Sequence, residues 1–193
     1  MIKVHNEIFK DKKTNVIEFG VDRGGTLTTI SKFVKDSSEI YALDSFGFFS
    51  DDIKSNVTKY DPHYLGTYRP FTKKTRFKNF NYLALEKQLN EILIKKESNL
   101  NIIKCYFPEK IEDEIFKKIS SIKYSFVHVD FDLYKPTLDV IKFVIPRLEK
   151  NAIILLDDYN LINQEGVKWA VRDSGVNISK CIQTQSGQLI CYT

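Results

Sequence analysis

The chain has 193 residues, of which 42% are hydrophobic and 28% charged, with 8 glycines and 5 prolines. This size and composition exclude a disordered or collagen-like chain and favour one globular domain, residues 1–193, with a substantial core. The formal net charge of +4 is too small to indicate a nucleic acid or a membrane surface as the partner.

No apolar run approaches the ~18 residues of a membrane span, and residues 1–5 contain no signal-peptide core. The sequence therefore favours a soluble, cytoplasmic protein. Its three cysteines, Cys105, Cys181 and Cys191, are odd in number and lack Cys-x-x-Cys spacing. We interpret all three as reduced, buried side chains and not as zinc ligands.

The predicted elements alternate between strands and helices after residues 1–14, which we predict as a single strand or helical turn. The predicted strands are 16–20, 39–44, 101–107, an apolar strand within 124–134, and one within 151–160. The predicted helices are 26–34, 81–96, 111–119, one that begins at Pro136 and that residues 138–148 continue as far as the interruption at Pro146, and 166–173. A hairpin around Ser186 and Gly187 closes the chain. This alternation predicts a mostly parallel sheet with helices on both faces and an antiparallel edge hairpin.

Residues 47–80 show no clean periodicity and are rich in aromatic side chains. A long irregular segment inside a compact domain is commonly a lid or a mobile loop, and aromatics interleaved with cations favour a substrate lid. Within this segment, residues 69–78 carry five basic residues and no acid. A solvated face, a site for an anionic substrate group and an RNA-binding surface all remain open for this run.

Residues 15–30 combine a strand, a glycine turn and the start of a helix. Glycine lets the backbone approach a ligand, and the first N–H groups of a helix point at negative charge. Asp44 ends the next predicted strand, about 20 residues further on, where a carboxylate accepts hydrogen bonds from ribose hydroxyls in nucleotide-binding folds. A turn-forming role before Ser45 is the alternative for Asp44.

Two predicted strands end in clustered acids, which are Asp130, Asp132, Asp157 and Asp158. Neighbouring carboxylates repel one another and take up protons unless a cation lies between them. Oxygen-only ligands suit Mg²⁺ or Mn²⁺. The alternative is that some of these acids face solvent or cap helices, and Asp132 is our candidate for capping the helix near Pro136. We interpret His128, inside the apolar strand, as a satisfied core histidine.

Six segments of the sequence together resemble the macrocin O-methyltransferase family (the TylF/MycF type). They are "VIEFGVDRGGTLTTI", "YALDSFGF", "CYFPEKI", "FVHVDFDLYKPT", "ILLDDYN" and "GVKWAV", in the family's order, within residues 15–192. The resemblance implies a Rossmann-like class I methyltransferase fold with a mostly parallel seven-stranded sheet and an antiparallel C-terminal edge hairpin. It also implies S-adenosylmethionine and Mg²⁺ as cofactors.

The resemblance further implies roles for individual residues. The cofactor contacts that it implies are Glu18, Gly20, Gly24, Thr26, Asp44, Ser45, Tyr106 and Phe107. The metal ligands that it implies are Asp130, Asp157 and Asp158. The sequence departs from the family at Cys105, where the family usually has glycine, and in its short N-terminus, so the identity of the acceptor does not carry over.

The sequence therefore predicts O-methylation of a hydroxylated, sugar-like small molecule, which could carry an anionic group. Whether the protein forms a homo-oligomer is left open. The metal would bind two vicinal oxygens and lower the pKa of the attacking hydroxyl, while Asp130 or Asp132 accepts its proton. Two alternatives remain, an RNA-binding methyltransferase or non-catalytic module that uses residues 69–78, and an NAD-type or nucleotide-sugar enzyme. The E-x-G-x-x-x-G spacing argues against the last of these, because NAD-binding turns follow G-x-G-x-x-G.

Overall fold

The computed structural model describes residues 1–47, 56–62, 79–162 and 164–193. Within these ranges seven strands form one sheet. In chain order they are β1 (Asn15–Phe19), β2 (Glu39–Asp44), β3 (Asn99–Lys104), β4 (Tyr124–Val129), β5 (Leu148–Leu156), β6 (Cys181–Gln183) and β7 (Leu189–Tyr192). Their order across the sheet is β3-β2-β1-β4-β5-β7-β6.

The sheet is mostly parallel. Strands β1 to β5 pair in parallel, whereas β7 pairs antiparallel with both β5 and β6. This pattern confirms the predicted fold class, including the C-terminal hairpin at one edge. The chain runs outward from β1 to β3 and then returns to β4 on the other side of β1. Parallel sheets leave a crevice for ligands beyond the carboxyl ends of the strands at such a reversal.

Six helices cover the sheet in the described ranges. They are α1 (Ile2–Ile8), α2 (Gly25–Phe33), α3 (Tyr82–Leu93), α4 (Asp113–Ser120), α5 (Tyr134–Val144) and α6 (Glu165–Asp173). Helix α5 begins two residues before the predicted start at Pro136, which lies in the first turn, where its missing N–H is not needed. The predicted interruption at Pro146 is confirmed, since α5 ends at Val144, Pro146 lies in a 3₁₀ turn and Leu148 already belongs to β5. None of the helices in these ranges has the length and apolarity to cross a membrane.

Alternating side chains of the central strands form two apolar layers. Ile17 and Phe19 of β1 belong to the layer that includes residues of α4, α5 and α6. Val16 belongs to the opposite layer, with residues of α2 and α3. All six residues of β4 are buried, as expected for a strand with helices on both faces. The rigid centre of the sheet therefore ends in the loops that carry the predicted site.

The interpretation of the cysteines is wrong for two of the three. Cys181 and Cys191 lie opposite each other on β6 and β7, with Cα atoms 4.3 Å apart, and form a disulfide bond. Directly opposed residues on antiparallel strands come close enough for this bond, whereas a spacing of ten residues gives no such indication in the sequence. Cys105 is a free, buried thiol.

Candidate active site

A cleft of about 350 Å³ opens at the carboxyl ends of the central strands. Its volume lies within the range of small-molecule sites. The lining comes from the segments that follow β1, β2, β3, β4 and β5, and includes Gly20, Ser45, Asn56, Cys105, Tyr106, Phe107, Phe131, Leu133 and Pro136. Six acids also line it, namely Asp22, Asp44, Glu109, Asp130, Asp132 and Asp158, with no lysine or arginine among the described residues of the lining.

Gly20 forms the floor of the cleft immediately after β1. Its φ of +89° lies in the left-handed region, and a Cβ there would overlap the backbone carbonyl of Asp130. Gly24, with φ +82°, then leads into α2, and Thr26 lies exposed in the first turn of that helix. The predicted strand, glycine turn and helix start are therefore all present, although Thr26 and Gly24 are not part of the cleft lining.

Asp44 ties the glycine turn to the end of β2. Its Oδ2 accepts hydrogen bonds from the backbone N–H groups of Val21 at 2.7 Å and Asp22 at 2.8 Å, and its Oδ1 accepts one from Phe46 at 2.7 Å. Burial raises the pKa of Asp44, an effect that these three donors oppose. A carboxylate offers about four acceptor positions, so one remains for a ligand hydroxyl. Ser45 also lines the cleft, and its hydroxyl donates to the carbonyl of Gly47 at 2.7 Å.

Glu18 and His128 form a buried hydrogen-bonded pair, in which burial raises the pKa of Glu18. His128 Nδ1 lies 2.9 Å from Glu18 Oε1, and both side chains are at most 1% exposed. Burial lowers the pKa of His128, but the carboxylates of Asp157 and Glu18 outweigh it and raise the pKa to about 10. The prediction of a satisfied core histidine is therefore confirmed. Glu18 does not line the cleft, although its Oε2 has no hydrogen-bond partner among the described residues.

Three carboxylates meet at the mouth of the cleft. Oxygen atoms of Asp130, Asp132 and Asp158 lie within 4.8 Å of one another, and we call this group the acid triad. The triad differs from the predicted ligand set, because Asp132 takes the place of Asp157. Asp157 Oδ2 instead faces His128 Nε2 at 3.8 Å, and this neighbour lowers the pKa of Asp157.

The carboxylates of the triad are too close to ionise independently. Burial, together with the neighbouring Asp132, raises the pKa of Asp130 to about 7 and that of Asp158 to about 8. Oxygen ligands in this arrangement suit a hard divalent cation, which would favour the ionised forms. Asp132 and Asp158 also have positive φ angles, +58° and +57°, so both loops hold left-handed backbone at the triad.

The predicted helix-capping role of Asp132 is wrong. The N-cap residue of α5 is Leu133, which makes no side-chain cap, and the first backbone N–H of the helix, that of Tyr134, donates to Asp61 Oδ1 at 2.8 Å. Asp61 comes from the described stretch 56–62, inside the predicted lid. The remainder of that lid, including the basic run 69–78, lies outside the described residues.

The predicted adenine-pocket residues have different environments. Tyr106 is half-buried at the cleft, whereas Phe107 is 4% exposed and packs against Phe19 and Phe143, with ring centroids 5.0 Å away in each case. Burial raises the pKa of the Cys105 thiol to about 12, so this cysteine is not a nucleophile. Sequence reasoning missed Asn56 and Glu109, which also line the cleft. Glu109 belongs to the "CYFPEKI" segment, but Asn56 has no comparable signal.

No family model matches the sequence, and no curated protein matches it either. Solved structures do match its fold. The O-methyltransferase NovP is 16% identical with a TM-score of 0.67, over 99% of this chain and 78% of that one. CalS11, in an apo structure and described as a TDP-rhamnose 3′-O-methyltransferase of calicheamicin biosynthesis, is 18% identical with a TM-score of 0.58, over 99% and 76%. An O-methyltransferase from Bacillus cereus in complex with SAH is 10% identical with a TM-score of 0.53, over 100% and 79%.

At these identities the likeness establishes the fold alone. The chain therefore has the Rossmann-like fold of class I methyltransferases, and its place in the macrocin family stays a prediction.

Proposed function

We propose that this protein is an S-adenosylmethionine-dependent, metal-assisted O-methyltransferase that acts on a hydroxyl group of a sugar-like small molecule. The observation that carries the proposal is the convergence of Asp130, Asp132 and Asp158 at the mouth of the cleft behind Gly20. A cation site beside a cofactor cleft is the arrangement that metal-assisted transfer to a hydroxyl requires.

The cleft fits the proposed cofactor in its chemistry. The turn at Gly20 would accept the methionine end, the free acceptor position of Asp44 would take a ribose hydroxyl, and Tyr106 would border the adenine. The acidic lining favours a ligand that carries a positive sulfonium, and this group supplies an activated methyl when the cofactor is bound.

The acid triad fits Mg²⁺ or Mn²⁺, because it offers three carboxylate ligands and leaves positions for water and substrate oxygens. A bound cation supplies Lewis acidity, which lowers the pKa of an acceptor hydroxyl. Residues that line the cleft would hold the acceptor oxygen beside the cofactor's methyl group, and such positioning provides much of the rate enhancement in group-transfer reactions. Asp130 and Asp132 are the candidates for accepting the hydroxyl proton.

The class of acceptor follows from the sequence resemblance and from the names of the structural neighbours. CalS11 is described as acting on TDP-rhamnose, and this chain covers 76% of its length in the apo structure. We propose that the acceptor of this protein is also a hydroxylated sugar or glycoside. We also propose that the chain belongs to the macrocin-type family. The RNA-binding alternative depends on residues 69–78, so no contact in the described part of the chain favours it.

The test separates cofactor binding from metal binding. Calorimetry should show that the chain binds S-adenosylhomocysteine and Mn²⁺, and that Asp158→Asn loses Mn²⁺ while its affinity for S-adenosylhomocysteine stays within about threefold, a change of under 1 kcal/mol. Methyl transfer from labelled S-adenosylmethionine to a panel of sugar nucleotides and glycosides should require Mg²⁺ and fall to background in a chelator. Failure of the folded protein to bind S-adenosylhomocysteine would overturn the cofactor proposal. Full turnover in the chelator would overturn the metal.

A further inference from the structure

Asp61 is a buried carboxylate, 3% exposed, that the proposed mechanism does not use. Its Oδ2 accepts hydrogen bonds from the backbone N–H and the hydroxyl of Thr58, each at 2.8 Å. Its Oδ1 accepts the bond from the N–H of Tyr134, the first residue of α5. A carboxylate at this place satisfies an N–H that has no partner within the helix and complements the positive end of the helix dipole.

A third element meets Asp61 at Gly166, in the first turn of α6. A Cβ at Gly166 would overlap Asp61 Oδ1 and would lie 2.8 Å from the Tyr134 nitrogen, so only glycine leaves room for the carboxylate. The neighbouring Tyr60 packs on both helices, with ring centroids 4.5 Å from Tyr134 and 5.5 Å from Trp169. Residues 56–62 are thereby fixed between the starts of α5 and α6.

These two helix starts follow the loops that carry two members of the acid triad. Asp132 lies in a tight turn closed by a hydrogen bond of 2.5 Å from Leu133 N–H to the carbonyl of Phe131, and α5 begins directly after it. Asp158 lies in the loop between β5 and α6. Both aspartates have left-handed backbone, a conformation that persists only when the surrounding structure determines it.

We propose that Asp61 is a positioning residue for the acid triad, which it serves by fixing the starts of α5 and α6 so that Asp132 and Asp158 face Asp130. The inference rests on the proposed function only in that the ligand of the triad is taken to be a divalent cation. Asp61 does not touch that ligand. Residues that hydrogen-bond metal ligands typically change metal affinity by about 10- to 100-fold when they are replaced, and we expect Asp61, which acts through the helix starts, to lie at the lower end of that range.

The test uses two variants of the full chain and one control. Asp61→Asn keeps the shape but exchanges one acceptor for a donor, so either Thr58 N–H or Tyr134 N–H loses its partner. Thr58→Val is milder, since it keeps the carboxylate and removes only the Thr58 hydroxyl, which donates to Asp61 Oδ2 and accepts from the Tyr60 N–H. The matched control is Ser38→Ala, which deletes a buried hydroxyl that donates to the carbonyl of Lys35 at 2.6 Å, at the amino end of β2 and thus at the opposite rim of the sheet.

Two readouts are measured on each variant, Mn²⁺ affinity by calorimetry and amide hydrogen exchange of residues 131–137 by mass spectrometry. Asp61→Asn should weaken Mn²⁺ binding by about 10-fold or more and speed exchange in that segment, while affinity for S-adenosylhomocysteine stays within about threefold. Thr58→Val should change both readouts in the same direction by less. Ser38→Ala should lower the free energy of unfolding and leave both readouts unchanged.

Each outcome decides the inference. Unchanged exchange of residues 131–137 in Asp61→Asn would overturn it, as would unchanged Mn²⁺ affinity in a wild type that binds the ion. If Asp61→Asn does not fold, Thr58→Val decides by the same criteria. If the wild type itself does not bind Mn²⁺, the metal part of the proposed function fails, and hydrogen exchange still decides whether Asp61 positions the two loops.

Discussion

Asp132→Asn is expected to stabilise the metal-free protein and to abolish its response to Mg²⁺. The oxygens of the triad lie within 4.8 Å of one another, so each pair of full charges repels by at least about 3.5 kcal/mol at an effective dielectric constant of about 20, or about 0.9 kcal/mol in bulk water. Partial protonation relieves some of this repulsion, since the pKa of Asp158 is raised to about 8. An asparagine removes one charge and offers an N–H donor to Asp158, so we expect a gain of about 1–3 kcal/mol in the free energy of unfolding.

The order of stability should reverse when the ion is present. A ligand at about 100 times its dissociation constant stabilises the folded state by about 2.7 kcal/mol, and the variant, without Asp132, would not gain this. Urea unfolding followed by the fluorescence of Trp169, the single tryptophan, measures both states in chelator and in saturating MgCl₂. Asp11→Asn is the control, because it removes the same charge from an exposed position.

Two results would refute this reasoning. If Asp132→Asn is less stable than the wild type in chelator, the carboxylates do not repel as the distances indicate. If Mg²⁺ stabilises the variant as much as the wild type, Asp132 is not a ligand, and the predicted set with Asp157 becomes the better hypothesis.

Three further predictions concern the backbone, the disulfide and a remote histidine. Gly20→Ala should cost about 2 kcal/mol or more in urea unfolding, since its Cβ would overlap the Asp130 carbonyl, and equal stability would contradict the left-handed turn. Cys181→Ser should lower the free energy of unfolding by about 3 kcal/mol under non-reducing conditions, as expected for so short a loop. Thiol titration of the unfolded wild type should find one free thiol in place of three. Burial lowers the pKa of His5 below 6.5, so the unfolded state binds a proton first, and the contribution of His5 to stability should be full above pH 6.5 and fall below it. In His5→Gln the fall just below pH 6.5 should be smaller than in the wild type, as measured by unfolding curves across the same pH range.

Most of the fold was predictable from hydrophobic periodicity. The apolar runs that became β1, β4 and β5 are short, rich in β-branched residues and bounded by polar segments, which is typical of buried parallel strands. The boundaries near proline were less predictable. Pro136 is compatible with the first turn of a helix and with the residue before one, so the start of α5 at Tyr134 depends on tertiary contacts such as the Asp61 cap.

The disulfide shows a different limit of sequence reasoning. The pairing of Cys181 with Cys191 depends on the register of β6 against β7, and a shift by one residue would place the two side chains on opposite faces of the hairpin. The sequence predicts a hairpin around Ser186 and Gly187 but not its register. Composition and spacing alone therefore favoured three reduced thiols.

For the candidate site, the sequence predicted where the acids lie but not which way each one points. Asp157 follows β5 directly and still keeps the strand's alternation, so its carboxylate lies towards His128 on β4. Asp132 and Asp158 lie beyond the ends of β4 and β5, and their backbone is left-handed, so the strand pattern does not fix the direction of their side chains. Aspartate adopts this conformation more readily than most residues, but the sequence does not show where it does so.

The acid triad is locally unfavourable, and its geometry depends on the surrounding structure. Close carboxylates and left-handed backbone both disfavour the loops after β4 and β5. Those loops nevertheless follow β4, which is fully buried, and the last five residues of β5, which are also buried, and they end at helices joined through Asp61 and Gly166. Functional sites typically combine unfavourable local conformations with well-packed surroundings. A structure selected for stability alone would not retain such unfavourable features. Asp61 lies 73 residues from Tyr134 in sequence and bonds to it directly. We explain this contact by the same functional requirement, because it supports the loop that carries Asp132.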